Sequence, residues 1–180
     1  QANSLGANKA LVIDGVVPTV ASVTSTTSNG TLKIGDVAAI TVTFSEAVTV
    51  TNTPQLTLET GSSDAVVDYT SGSGSTTLTF NYTVASGHVS SDLDYASTSA
   101  LAGTINDAAG NAATLTLASP GASSSLGANK TLVIDGIIPT VTNVTATSNN
   151  GTYKLNDVIP ITVTFSEAVT VTNTPQLTLE

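Results

Sequence analysis

The chain has 180 residues, with 13 acidic and 4 basic side chains and a formal net charge of −9. Because phosphate backbones and anionic lipids are bound by clustered Lys and Arg, this charge excludes nucleic acid as a partner and argues against acidic membrane surfaces. No Cys is present, which excludes disulfides, thiolate metal sites and Cys nucleophiles. No apolar run approaches the length of a membrane span, so we expect no membrane insertion.

Apolar residues alternating with Thr and Ser predict β-strands along most of the chain. The clearest alternation is at 37–45 and 76–84, and turn residues such as Asn29-Gly30 separate the strands. No segment shows the apolar period of an amphipathic helix. In chain order, the predicted strands are 10–13, 19–25, 37–45, 55–59, 65–70, 76–84, 93–97 and 113–117. Short strands at this spacing predict an all-β fold, an antiparallel β-sandwich.

The chain also repeats itself at an offset of 121 residues. Ser4–Lys9 recurs as Ser125–Lys130, and Ile40–Glu59 recurs unchanged as Ile161–Glu180. A unit of about 121 residues is far longer than a solenoid repeat and has the size of an independently folding domain. We therefore predict tandem repeats of separately folded modules.

The linker that recurs between repeats sets the predicted boundaries. Asp14-Gly-Val-Val-Pro18 has its twin at Asp135-Gly-Ile-Ile-Pro139. Residues 1–15 are then the last strand of a preceding repeat and a linker, and 16–135 form a complete repeat. Residues 136–180 hold a linker and the first strands of an incomplete repeat. That part lacks the strands that would cover its apolar face, so alone it should be marginally stable or prone to aggregate. We expect either that the chain is a window on a longer array or that a neighbouring chain completes this part.

Oxygen-bearing side chains fall at the repeat junctions. In an antiparallel sandwich the loop after the second strand returns to the linker, which places Glu46 near Asp14 and Glu167 near Asp135. Carboxylate and amide oxygens without His or Cys are the ligands that Ca²⁺ takes, and packed carboxylates destabilise a fold that lacks a cation. The alternative is that these acids only keep a Thr-rich surface soluble. The predicted metal ligands are Asp14, Glu46, Asp107, Asn111, Asp135 and Glu167.

Five segments carry a family resemblance: IDGVVPTV, GDVAAITVTFSEAVTV, TPQLTLE, STTLTFNYTV and INDAAGNAATL. Together they resemble the bacterial immunoglobulin-like tandem repeats of giant secreted and cell-surface adhesins, in which such modules form extender stalks. The resemblance covers essentially the whole chain. It implies an immunoglobulin-like fold, an extracellular or cell-surface location, and calcium at the module junctions. Gly15 and Gly136 depart from the commoner linker pattern of this family, which leaves the acid in place and could loosen the linker.

The pattern does not favour an enzyme. His88 is the only His, and neither a catalytic triad nor a phosphate loop can be read around it. The leading hypothesis is a structural extender of a large extracellular surface protein, adhesin or filament, rigidified by calcium at its junctions. Its partners would be neighbouring repeats of the same chain. Two alternatives stay open: an adhesive module that binds a glycan or partner protein, and a strand-exchanging filament subunit that pairs with identical chains.

Overall fold

The computed structural model describes residues 4–180, so residues 1–3 of the predicted segment 1–15 lie outside the described part. The chain divides into two compact units, the first ending at Ile137 and the second covering Ile138–Glu180. Its regular elements are almost all strands, and the predicted all-β class is confirmed. The first unit contains α1 (Leu5–Asn8), β1 (Val20–Ser25), β2 (Gly30–Lys33), β3 (Val37–Leu58), β4 (Ala65–Ser71), β5 (Ser75–Thr83), β6 (Val89–Ser90), β7 (Leu101–Asn106), α2 (Leu126–Asn129) and β8 (Leu132–Asp135), and the second contains β9 (Val141–Ala146) and β10 (Ile161–Phe165).

Strand β3 organises the first unit because it changes partners along its length. Its first part pairs antiparallel with β1 and β5, around Val42, and its second part pairs antiparallel with β4 and β7, around Leu56. The prediction of two separate strands at 37–45 and 55–59 was wrong. Between them, residues 49–51 pair with β7, and a register shift follows between Thr51 and Gln55, where Asn52 has a φ of 61°.

A second, three-stranded sheet in this unit has the order β2-β8-β6. Strand β8 runs parallel to β2, with Gly30 opposite Leu132 and Lys33 opposite Asp135. Both sheets contribute to one apolar core, because Leu132 of β8 is buried in the same cluster as the inward residues of β3 and β5. Burying one large apolar side chain contributes about 1.5–3 kcal/mol. The largest fully buried side chains include Tyr82, Tyr95, Phe80, Ile40, Leu56, Leu78, Leu93 and Leu132.

Three other predicted strands were wrong in the described chain. Residues 10–13 are exposed and belong to no strand, and 93–97 and 113–117 carry only isolated bridges, at Tyr95 and Thr114. Two four-residue helices were missed. Each begins after a serine, Ser4 or Ser125, whose hydroxyl accepts a hydrogen bond from the backbone amide three residues on. This is the N-cap signal, which the sequence did contain.

The second unit reproduces the first hairpin of the first unit. Strand β9 pairs antiparallel with β10 so that Val144 faces Val163, as Val23 faces Val42 across β1 and β3. The bulge near the start of β1 recurs at the start of β9. Burial nevertheless differs: Val163 is 39% exposed and Val42 is 0% exposed, although the sequence around them is identical. Strand β5 pairs with β3 beside Val42, and nothing pairs with β10 on that side in the described second unit.

Candidate metal centre

Three carboxylates converge beside the linker that precedes β1. One oxygen each from Asp14, Glu46 and Asp107 lie within 4.8 Å of one another. Asp14 belongs to the exposed linker, Glu46 is a partly buried residue of β3, and Asp107 is buried just beyond the end of β7. The antiparallel arrangement was expected to bring Asp14 and Glu46 together, and Asp107 was among the predicted metal ligands. It is the one such group of potential metal ligands within residues 4–180.

Strand pairing and one reciprocal contact position these acids. Strand β7 runs antiparallel to β3, with Asn106 opposite Thr49, so the chain leaves the sheet at Asp107 close to Glu46. The linker is attached just before Glu46: the Thr19 amide donates to Ser45 Oγ at 3.0 Å, and the Ser45 amide donates to the Thr19 carbonyl at 2.9 Å. Asp14 therefore enters the fold next to Glu46.

The Ser45–Thr19 contact was missed from the sequence. The signal was present, because Ser45 immediately precedes the repeated glutamate in the motif FSEAV and Thr19 follows the linker proline. In the second copy the Thr140 amide donates to Ser166 Oγ at 3.0 Å, and the Ser166 amide donates to the Thr140 carbonyl at 2.8 Å. The contact that places the glutamate beside its linker is therefore part of the repeat.

Asn111 joins the acidic loop to the linker backbone. Its Nδ2 donates to Asp107 Oδ2 at 2.7 Å and to the carbonyls of Asp14 and Val16 at 3.2 and 3.3 Å. Its backbone amide donates to Asp107 Oδ1 at 2.8 Å. The amide group of Asn111 thus orients Asp107 and holds the linker, and its predicted role as a metal ligand stays a prediction.

The pKa values of Glu46 and Asp107 are shifted in opposite directions. Burial raises the pKa of Glu46, and the negative charges of Asp14 and Asp107 raise it further. Burial alone would also raise the pKa of Asp107, but hydrogen bonds from the Asn111 side chain and from the backbone amides of Asn111, Gly110 and Ala109 outweigh it and lower that pKa. Asp107 therefore stays ionised beside a glutamate whose charged form is disfavoured.

One oxygen of Glu46 has no hydrogen-bond partner. Within residues 4–180, the shielded side-chain oxygens without such a partner are Glu46 Oε1 and its counterpart Glu167 Oε1. A shielded carboxylate oxygen without a donor is costly to keep charged. A divalent cation between the three carboxylates would offset both this cost and the repulsion among them.

The second linker has part of the same arrangement. Asp135 Oδ1 accepts a hydrogen bond from the Ile137 amide at 3.2 Å, just as Asp14 Oδ1 accepts one from the Val16 amide at 3.1 Å. Asp135 belongs to the first unit and Glu167 to the second. Their predicted pairing at a metal ion stays a prediction, and the 180 residues contain no counterpart of Asp107 for this linker.

Comparisons with protein-family models, with curated proteins and with solved structures return no match to this chain. Among the described residues, no helix has the length and apolar character needed to span a bilayer. The carboxylate cluster and the internal repeat are therefore the observations that bear on function.

Proposed function

We propose that this chain is a structural extender of a large extracellular surface protein, adhesin or filament, built from tandem immunoglobulin-like β-sandwich repeats and stiffened by Ca²⁺ at the repeat junctions. The observation that carries the proposal is the cluster of Asp14, Glu46 and Asp107, in which a linker acid meets two acids of the module that follows. A cation held by all three would bind the linker to the module and restrict how the linker bends.

The sheet topology supports the immunoglobulin-like sandwich. Strand β3 pairs with β1 and β5 in its first part and with β4 and β7 in its second part. The parallel β2–β8 pair belongs to a separate sheet, and one apolar core joins residues of both sheets. The tandem arrangement is supported by the hairpin of β9 and β10, which repeats the register of β1 and β3 at the 121-residue offset. The resemblance to bacterial immunoglobulin-like repeats points the same way.

The chemistry of the ligands favours calcium. All three candidate side chains offer hard carboxylate oxygens, and Ca²⁺ accepts six to eight oxygens in flexible geometry. The second carboxylate oxygens and water would complete the shell. Extracellular calcium modules bind with dissociation constants of about 10⁻⁴–10⁻³ M, which matches an extracellular ion supply rather than a cytosolic signal.

A mechanical role needs no catalytic group, and the surroundings of His88 fit that proposal. The His88 ring stacks on Tyr82 with ring centroids 5.9 Å apart, and His88 Nδ1 lies 3.0 Å from the Tyr82 hydroxyl. Burial raises the pKa of Tyr82 to about 12, so the phenol stays protonated at neutral pH. We therefore assign this pair to packing within the first unit.

Calcium titration tests the proposal. A ligand that binds only the folded state raises stability by mass action, so the melting temperature of the first unit should rise by several degrees between EDTA and millimolar Ca²⁺. Asp14→Asn and Glu46→Gln should each lose most of that rise. Asp64→Asn removes the same charge from an exposed acid outside the cluster and serves as the matched control. The readout is scanning calorimetry, with ¹⁵N relaxation of Gly15 and Val16 as the measure of linker mobility.

Calcium should lower the picosecond-to-nanosecond mobility of Gly15 in the wild-type chain and leave it unchanged in Asp14→Asn. An identical melt in EDTA and in Ca²⁺ would contradict the calcium site. A rise in melting temperature that Asp64→Asn abolishes as fully as Asp14→Asn would mean that calcium only screens surface charge.

A further inference from the structure

The segment Ser4–Asp14, here called the N-terminal arm, is a second copy of the segment that closes the first unit. The arm and Ser125–Asp135 differ at one position, Ala10 in the arm and Thr131 in the other segment. Both copies begin with the same serine-capped helix, α1 or α2. The first unit therefore displays, in Ser125–Asp135, how this sequence binds when it has a partner.

Side-chain contacts attach the closing segment to β1 and the turn after it. Asn129 Nδ2 donates to the Val23 carbonyl at 2.8 Å, and Lys130 Nζ donates to the Thr27 carbonyl at 2.9 Å. Both acceptors are backbone carbonyls, so any chain with the same backbone path can offer them. Leu126 and Leu132 lie fully buried behind these contacts.

Strand β8 then pairs in parallel with β2, from Gly30 opposite Leu132 to Lys33 opposite Asp135. The Gly30 amide donates to the Thr131 carbonyl at 3.1 Å and begins this pairing. The stretch Val23–Lys33, which we call the dock, thus receives one edge of the closing segment, while β6 pairs with the other edge of β8.

The arm has the same local structure and no such partner. Leu11 is 67% exposed where Leu132 is 0% exposed, and Ile13 is 94% exposed where Ile134 is 3% exposed. Asn8 Nδ2, the counterpart of the docking amide of Asn129, donates instead to the Ser4 carbonyl at 2.9 Å. An exposed segment with a run of apolar side chains and unpaired backbone groups is a template for strand pairing.

The second unit carries an uncovered dock. Val144–Lys154 corresponds to Val23–Lys33, and it retains the asparagine and glycine at which the parallel pairing begins, Asn150 and Gly151. Val144 is 51% exposed, and within the described second unit pairing joins only β9 and β10, which leaves 151–154 without a neighbouring strand.

We propose that the N-terminal arm of one copy of this chain docks on Val144–Lys154 of a second copy. The register would run from Leu11 opposite Gly151 to Asp14 opposite Lys154, with Asn8 Nδ2 donating to the Val144 carbonyl. Donor and acceptor are different surfaces of the same chain, so the contact is heterologous and propagates head to tail. It requires neither calcium nor the extender role.

Sedimentation velocity of the full chain, from micromolar to millimolar concentration, tests the proposal. The weight-average mass of the wild-type chain should rise with concentration in EDTA as well as in Ca²⁺. Ile13→Asp places a charge at the inward position of the arm and should abolish the rise; because Ile13 is 94% exposed, this substitution leaves the first unit folded. Val66→Asp, at an exposed residue of β4, is the control and should assemble like the wild type.

Mixing two variants tests the head-to-tail geometry. Ile13→Asp retains only the dock and Val144→Asp retains only the arm, so each alone should be monomeric and their mixture should stop at dimers. Amide shifts in that mixture should be largest at 151–154 of the Ile13→Asp chain. A wild-type chain that stays monomeric at millimolar concentration would overturn the proposal. So would assembly of Ile13→Asp to the wild-type extent, since the exposed apolar face of β10 would then be the contact.

Discussion

The charged form of Glu46 is disfavoured, whereas the charged form of its neighbour Asp107 is favoured. The two carboxylates lie in the same cluster, yet burial and two like charges act on Glu46, and four hydrogen bonds act on Asp107. This contrast comes from the loop 107–111, which turns its amides toward Asp107 and offers none to Glu46 Oε1. A cation held by the three carboxylates would favour the charged form of Glu46.

The raised pKa of Glu46 makes a prediction for stability against pH. An acid whose pKa is higher in the folded state than its usual 4.5 stabilises the fold below pH 4.5, and that contribution is lost as the pH rises through the raised value. In EDTA, the wild-type melting temperature should therefore fall relative to Glu46→Gln between about pH 4 and pH 7. Calorimetry across this range measures the difference.

Asp107 makes the opposite contribution, because its lowered pKa stabilises the fold above its usual 3.8 and this stabilisation disappears as the pH falls. Because the pKa of folded Asp107 lies below its usual 3.8, Asp107 is ionised between about pH 4 and pH 7 in both folded chains, so the change of their difference over this range reports on Glu46. If the difference in melting temperature between wild type and Glu46→Gln does not change with pH in EDTA, Glu46 ionises as freely in the folded chain as in the unfolded one.

Segments of identical sequence adopt different structures in this chain. Leu-Val-Ile-Asp is exposed and irregular at 11–14, and it forms β8 at 132–135. Its sequence has the β-branched residues that favour a strand in both places, but a strand needs a neighbour to satisfy its backbone. Only the second copy has β2 beside it.

The glycines that follow these two segments provide a matched test. A Cβ on Gly136 would collide with the carbonyls of Ala85 and His88, whereas a Cβ on Gly15 would meet nothing within 4 Å. The Gly136 amide also donates to the His88 carbonyl at 2.7 Å, so the backbone has little freedom to move away. We expect Gly136→Ala to destabilise the first unit by about 1–3 kcal/mol, the usual cost of overpacking.

Gly15→Ala should change the free energy of unfolding by less than about 0.5 kcal/mol, as expected for an open surface position. Urea denaturation of both variants measures the two values. Equal changes in the free energy of unfolding would mean that Gly136 does not lie close to the carbonyls of Ala85 and His88.

Much of the strand pattern could be predicted from alternation alone. The strands at 19–25, 65–70 and 76–84 were placed within a residue or two of β1, β4 and β5. The single long β3 could not be predicted, because 37–45 and 55–59 are joined into one strand only by the pairing of β7 on both sides of Asn52 and Pro54. The three-carboxylate cluster was predicted in outline. The contact of Ser45 with Thr19 and the hydrogen bonds of Asn111 could not be predicted, because they depend on distances in the folded chain.

At the scale of the whole molecule, the two units carry the same hairpin in different surroundings. The second unit exposes an apolar face that includes Ile161, Val163, Phe165 and Leu179. In the first unit, the residues matching Ile161 and Val163 lie opposite β5. A two-stranded sheet with an uncovered apolar face is marginally stable in water.

Hydrogen exchange should therefore separate the two copies of one sequence. At low concentration, the paired amides of β10 should exchange roughly 100-fold or more faster than those of 40–44 in β3, because they open by local rather than global unfolding. NMR can measure this, since the flanking residues differ enough to assign both copies. Comparable protection in the two strands would show that the second unit is folded as stably as the first.

By itself, the sequence determined the all-β class, the 121-residue repeat and the recurrence of acids at the linkers, because alternation, repetition and charge are local properties that can be read along a chain. Only the tertiary structure decided which copy of Leu-Val-Ile-Asp becomes a strand, which copy of Ile40–Glu59 is buried, and which acids share a cluster within 4.8 Å. Burial, strand pairing and shared charge depend on neighbours that lie far away in sequence. Two identical segments can therefore differ in all three.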